Sequence, residues 1–220
     1  MANIIDRRSV SVVISAIGLL MLAAAFSLLA HNYMESIRAG ISAADTADRL
    51  RSALDCAAQS TASSGPACAV PLRTDMQTAQ GVEPQPLTAA ADVVEIDGKR
   101  YIGILSVPSL GLELPVQETY SESGLKQSPC RYCGSPEQSD LVIAGHSYKT
   151  HFGPLSRLSS GDEVLLLTAS GEVLTYTVEC AETLLAWQVE DMVSGSWDLT
   201  LFTCTVSGAS RLAVRCSRCD

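Results

Sequence analysis

The chain predicts an all-β fold behind an N-terminal apolar helix, and three features carry that prediction. Short runs rich in Val, Ile, Leu, Thr and Tyr follow one another from Val93 to Arg215, separated by turn residues. Two of the separators, Asp97-Gly98 and Ser170-Gly171, have the composition of hairpin turns. Near the N-terminus, Ser9 to Ala30 is a 22-residue stretch without a charged side chain.

As a helix, that stretch would span roughly 33 Å, about the hydrocarbon thickness of a bilayer. Arg7 and Arg8 precede it and favour a cytoplasmic tail over residues 1–8. A cleaved signal peptide has a shorter apolar region, and Phe26-Ser27-Leu28-Leu29-Ala30-His31 is a poor cleavage site. An uncleaved transmembrane anchor over residues 9–31 is therefore expected. Beyond it, Ile37, Ile41, Ala44, Ala47, Leu50, Leu54 and Ala57 recur at steps of three and four, which predicts an amphipathic stalk helix over residues 32–58. The stripe is rich in Ala, so any coiled coil it made would be weak. Residues 59–91 carry Pro66, Pro71, Pro84 and Pro86 among Ser, Thr, Ala and Gly, the composition of a linker.

Residues 92–220 are then the folded domain. Val93 to Ile96 and Tyr101 to Ile104 flank Asp97-Gly98; Val164 to Leu167 and Val173 to Val178 flank Ser170-Gly171. Trp197 to Thr203 and Arg211 to Arg215 form a last pair. Short strands at this spacing predict a closed or nearly closed barrel. The net charge is −9. From Val94 onward there are 16 acidic and 9 basic residues, a balance of −7, with no Lys/Arg cluster. Nucleic-acid binding is thereby disfavoured, and the acidity reads as solubility.

Chemistry concentrates at the ends of three predicted strands. Leu199-Thr200-Leu201-Phe202-Thr203-Cys204 ends in a cysteine, Leu141-Val142-Ile143-Ala144-Gly145-His146 in a histidine, and Arg211 opens the strand after the cysteine. A thiol titrates near 8.5 and needs help to be a nucleophile at neutral pH. An imidazole can carry the proton, and a guanidinium, which never deprotonates, can hold an oxyanion. Together they suffice for nucleophilic acyl transfer. Singly, each has a structural reading: a buried apolar thiol, a packed histidine, a capping arginine. His146 precedes Cys204, the reverse of papain-like proteases. His151 reads as a loop residue. Arg215 competes with Arg211, because residues four apart share a strand face, while Leu212 and Val214 on the other face read as core. Trp197 and Asp198 read as structural or entrance residues.

Thr200 to Cys204 as Thr-Leu-x-Thr-Cys, an Arg opening the next strand and an upstream Ala-Gly-His resemble the sortase family, surface transpeptidases of Gram-positive bacteria. Ile102 to Leu110, Leu114-Pro115-Val116, Phe152-Gly153-Pro154-Leu155 and Gly161-Asp162-Glu163-Val164 are similar to further family segments in the same order, so the resemblance covers about Val94 to Cys216. It implies a closed eight-stranded barrel with short helices and the catalytic residues His146, Cys204 and Arg211. Thr203 and Ala144, within the matching motifs, would contact substrate. The implied reaction cuts a Leu-Pro-x-Thr-Gly-like sorting signal after Thr through a thioester. The acyl group then passes to an amine such as that of a peptidoglycan precursor, outside the membrane, with no cofactor. The segment from Val178 to Trp197 is too short for a large helical insertion, and no lid sequence of the pilin-assembling kind is evident. The alternatives are a pilin-polymerising member, or a non-catalytic tethered barrel that binds peptide or metal.

Eight cysteines include Cys130-Arg131-Tyr132-Cys133 and Cys216-Ser217-Arg218-Cys219. The 82 residues between these pairs far exceed the spacing of a compact zinc motif, so disulfides outside the membrane are expected rather than zinc. No carboxylate set suggests calcium, and no metal site is assigned.

Overall fold

The computed structural model describes residues 7–62, 93–205 and 208–219; most of the linker assigned to residues 59–91 lies outside them. One continuous helix, α1 (Arg7–Ala62), runs through both the expected anchor and the expected stalk. It contains an 18-residue window long and apolar enough to cross a membrane, none of it buried against the protein.

The other half of α1 lies on the folded domain. Its inward residues are Ala39, Ala43, Ala47, Leu50 and Leu54. The stripe read from sequence holds at Ala47, Leu50 and Leu54 but not before them, where Ile41 is 67% exposed and Ala44 is exposed. Small side chains win the inner face because the helix packs close to the barrel. Leu50 and Leu54 cluster with Ile96, Tyr101 and Ile104, and at the rim Arg49 pairs with Asp97 and Arg51 with Glu113.

Among the described residues nine strands follow: β1 (Val94–Ile96), β2 (Lys99–Val107), β3 (Leu112–Gln117), β4 (Cys130–Cys133), β5 (Leu141–Gly145), β6 (Glu163–Thr168), β7 (Val173–Leu185), β8 (Leu199–Cys204) and β9 (Ser210–Arg218). Two short helices, α2 (Glu122–Leu125) and α3 (Val189–Val193), sit in the connections. The strand order is β1-β2-β3-β4-β5-β8-β9-β7-β6, and β6 pairs again with β2. Strands β2 to β9 thus close an eight-stranded barrel, with β1 added as an outer hairpin arm. Ile96 pairs with Lys99 across Asp97-Gly98, whose φ angles of 51° and 73° suit a two-residue type I′ turn. Closure demands a glycine on β2: a Cβ on Gly103 would lie 2.1 Å from the Leu167 carbonyl oxygen.

Alternation sorts the side chains of β5, β8 and β9. Leu141, Ile143, Leu199, Leu201, Val214 and Cys216 join the barrel core with Tyr176, Phe152 and Leu155. Val142, Ala144, Phe202 and Ala213 face the other way and form an outer cluster with Leu125, Cys130, Leu184 and Met192.

The expected disulfides, within or between the Cys-x-x-Cys pairs, are not formed: Cys130, Cys133, Cys216 and Cys219 are free thiols. The geometry of the second pair gives the reason. Cys216 is buried in the barrel core while Cys219 is exposed beside the Thr177 hydroxyl, 3.0 Å away. Burial pushes the Cys216 thiol up to about 12.

Candidate active site

Strand register brings the three expected residues to one end of the barrel. β5 and β8 run parallel with Gly145 opposite Thr203, so His146 follows Gly145 as Cys204 follows Thr203. β8 and β9 run antiparallel with Cys204 directly opposite Arg211. By alternation, His146, Cys204 and Arg211 all belong to the outer face, the face of Ala144, Phe202 and Ala213. Cys204 and His146 are both half-buried.

The histidine is set by a tight loop. Phe152 N–H donates to the His146 carbonyl at 3.0 Å, and the N–H groups of His151 and Gly153 donate to the Tyr148 carbonyl at 3.0 and 2.9 Å. Phe152 lies so close beneath Gly145 that a Cβ there would be 2.4 Å from the ring, which explains the glycine of Ala-Gly-His. Tyr148 stacks on His146 with centroids 4.8 Å apart and planes at 23°. Burial holds the His146 pKa below its ordinary value, Lys126 lowers it further, and Glu35 opposes both.

Arg211 and Arg215, on one face of β9, have different surroundings. The Arg211 guanidinium donates to the carbonyls of Gly208 and Ser210, at 3.2 and 3.3 Å, in its own approach loop. Arg215 is 2% exposed and saturated. It donates to the Met192 carbonyl at 2.9 Å, the Thr200 hydroxyl at 3.0 Å, the Asp191 carbonyl at 2.5 Å and Glu182 Oε1 at 2.7 Å. Arg215 therefore latches α3 onto the outer face, and Arg211 is the arginine beside Cys204.

Of the two residues assigned to substrate contact, Ala144 lies on the Cys204 face, within the outer cluster. Thr203 does not. Alternation turns it to the opposite face, where it is 3% exposed and its hydroxyl has no hydrogen-bond partner.

Several neighbours escaped the sequence reading. Tyr132 makes edge-to-face contacts with Tyr120 and Phe202, at 5.4 and 5.3 Å between centroids. This aromatic file leads from the Cys204 strand to an open cavity of about 570 Å³ lined by Glu118, Tyr120, Arg131, Tyr132 and Gln138. The signal for Phe202 was present: it lies two residues before Cys204, hence on the same face.

Comparison with known proteins bears on the barrel as a whole. A family model described as the sortase domain matches residues 105–219, just over half of the chain. The chain belongs to the sortase family. Among solved structures, sortase A from Corynebacterium diphtheriae is similar at 26% identity and a TM-score of 0.51, over 56% of this chain and 62% of that one. Sortase C1 from Streptococcus agalactiae is similar at 28% identity and a TM-score of 0.51, over 57% of this chain and 71% of that one. The match thus spans less than two thirds of the length of the Corynebacterium protein. No curated protein sequence matches the chain. This sortase shares the closed barrel with those relatives, which come from two differently named kinds of sortase.

Proposed function

We propose that the chain is a membrane-anchored cysteine transpeptidase that cuts Leu-Pro-x-Thr-Gly-like sorting signals between Thr and Gly and passes the protein to an amine of a cell-wall precursor. The observation that carries this reading is the register, which puts His146 and Arg211 on either side of Cys204 on one face of three adjacent strands.

In this mechanism the Cys204 thiolate attacks the threonine carbonyl carbon, and the carbonyl oxygen takes the negative charge. Arg211, released from its loop carbonyls, donates to that oxygen. The C–N bond to glycine breaks as protonated His146 gives its proton to the leaving amine, leaving a thioester on Cys204. The acceptor amine then attacks the thioester, His146 takes its proton, and the thiolate is released. Burial and Lys126 both disfavour the charged imidazole, which eases that proton donation. Ser9 to Ala30 would hold the domain at the outer surface of the membrane, with residues 1–8 in the cytoplasm.

The test is acyl capture. The full chain in detergent is incubated with a library of Leu-Pro-x-Thr-Gly-like peptides and an amine, and Cys204 is examined by mass spectrometry. An adduct on Cys204 that transfers to the amine is expected, and Cys204→Ala should lose it. Full turnover by Cys204→Ala would sink the reading.

A further inference from the structure

The segment of α1 that follows the apolar stretch does more than space the barrel from the membrane. It grips the loop that starts at His146. The Thr150 hydroxyl donates to the Ser36 carbonyl at 2.9 Å. Gly40 packs so tightly on Thr150 that a Cβ would lie 2.6 Å from its Cγ2 and 2.7 Å from its Cβ. Ala39 and Ala43 are buried, and Ala43 joins the main barrel core beside Phe152.

Between helix and barrel lies His151, 0% exposed, with its ring facing the backbone of Ala39 on α1. Its ring contacts Tyr148 at 5.6 Å, and Tyr148 stacks on His146. Tyr148 also shares a cleft of about 220 Å³ with Glu35, Arg38, Ala39, Ser42 and Lys126. The loop from His146 to Phe152 is thus clamped on one side by α1 and on the other by the core under Gly145. The groups around His146 are Glu35 from α1, Lys126 after α2, Tyr148 and His151 from its own loop, and Cys204 and Arg211 from β8 and β9.

We propose that the stretch of α1 from Ser36 to Ala43 is a positioning element for His146: seated on Thr150 and His151, it fixes the loop that aims the histidine at Cys204. The proposal rests on the reading of His146 as the proton carrier. A barrel cut away from the helix keeps all three reacting side chains and loses the wall behind one of them.

The test uses the full chain in phospholipid nanodiscs and two variants. Gly40→Ala strengthens the helix itself, since Ala is the better helix former, yet its Cβ cannot coexist with Thr150 in the seated position. Thr150→Val keeps the shape and removes only the hydrogen bond to Ser36. Misplacing a reacting group by about 1 Å costs on the order of 100-fold in rate. Gly40→Ala should therefore lower kcat for peptide transpeptidation by roughly 10- to 100-fold, with peptide KM nearly unchanged. Thr150→Val should have a smaller effect in the same direction. The pH limb belonging to His146 should move upward, because unseating the helix rehydrates an imidazole whose pKa is held down mainly by burial.

A wild-type kcat and pH profile in Gly40→Ala would overturn the proposal. So would a loss of activity that merely tracks loss of folded barrel by circular dichroism, with the pH limb in place. His146→Gln and Cys204→Ala, run alongside, separate the two failures. If both are inactive while Gly40→Ala is not impaired, only the positioning role fails. If either retains full turnover, the underlying reading of the site fails with it.

Discussion

Replacing Arg211 or Arg215 of β9 by methionine should give opposite results, because the two lie on the same strand face four residues apart and serve different ends. Arg215 is 2% exposed and its guanidinium is held by the Asp191 and Met192 carbonyls, the Thr200 hydroxyl and Glu182. Methionine fills much of the arginine stem, so the cavity term is small. Three buried or half-buried acceptors lose a charged donor, at about 1–2 kcal/mol each if nothing moves. The Glu182 pair adds little, since that carboxylate is 44% exposed. Holding α3 in place would thus cost about 3–5 kcal/mol. Letting α3 lift instead forfeits the burial of Met192, about 1.5–3 kcal/mol. The protein takes the cheaper route, so Arg215→Met should lose about 2–3 kcal/mol and roughly 10 °C in Tm, and its α3 should become mobile. Because α3 covers the outer cluster beside the reacting face, peptide KM should rise more than kcat falls. Among the described residues, the Arg211 guanidinium rests on the Gly208 and Ser210 carbonyls of its own loop. Arg211→Met should leave Tm within about 2 °C and lower kcat on the order of 100- to 1,000-fold, the cost of one oxyanion donor. Thermal unfolding by circular dichroism and transpeptidation kinetics on the same two preparations decide the matter. An unchanged Tm in Arg215→Met together with a large drop in Arg211→Met would refute the assignment.

His151, wholly buried, is pushed down to about 4, mainly by burial and against the opposing pull of the Ala39 backbone, from an ordinary value near 6.5. Its folded-state pKa is depressed, so the unfolded chain takes up a proton first as pH falls. The group is neutral in both states above pH 7 and contributes a loss of stability that grows from about pH 6.5 down to 4, at most about 3 kcal/mol. His151→Phe should flatten that slope in chemical-denaturation midpoints measured from pH 7 to 4, and an equally steep slope in the variant would refute the assignment. For Thr203, whose hydroxyl is buried without a partner on the face away from Cys204, Thr203→Val should keep kcat/KM within about twofold and leave stability equal or raised by up to about 1 kcal/mol. A large loss of kcat/KM at unchanged stability would restore its role in substrate contact.

What the sequence could and could not reveal follows from how local each signal is. The β1–β2 hairpin was legible because Asp97 and Gly98 alone supply the two positive φ angles that the turn needs. The faces of β8 and β9 were legible for a similar reason: alternation is a property of one strand, so Leu212 and Val214 could be assigned inward and Arg211 and Arg215 outward before any partner was known. β4 was not legible as a strand. It is four residues long, bulged against β5, and pairs with β3 at the single position Gln117 to Cys130. The extension of β7 to Leu185 was hidden too, because Glu179, Ala181 and Glu182 are poor strand formers and the segment is held there by pairing with β9.

Part of the face of α1 was misread for a more instructive reason. Counting apolar residues found Ala47, Leu50 and Leu54, which do face the barrel, but nearer the membrane it selected the exposed Ile41 and Ala44 and passed over Ala39 and Ala43, with Gly40 pressed on Thr150. A hydrophobic stripe ranks positions by area, but a helix lying against a strand edge and a tight loop is limited by clearance, and only small side chains permit contact at that distance. The same constraint joins helix to site. Behind Thr150, on the loop that carries His146, lie Ser36 and Gly40 of α1. The part of the chain that read as a spacer therefore packs on the loop that carries His146. A substitution there should be felt in the chemistry before it is felt in the fold.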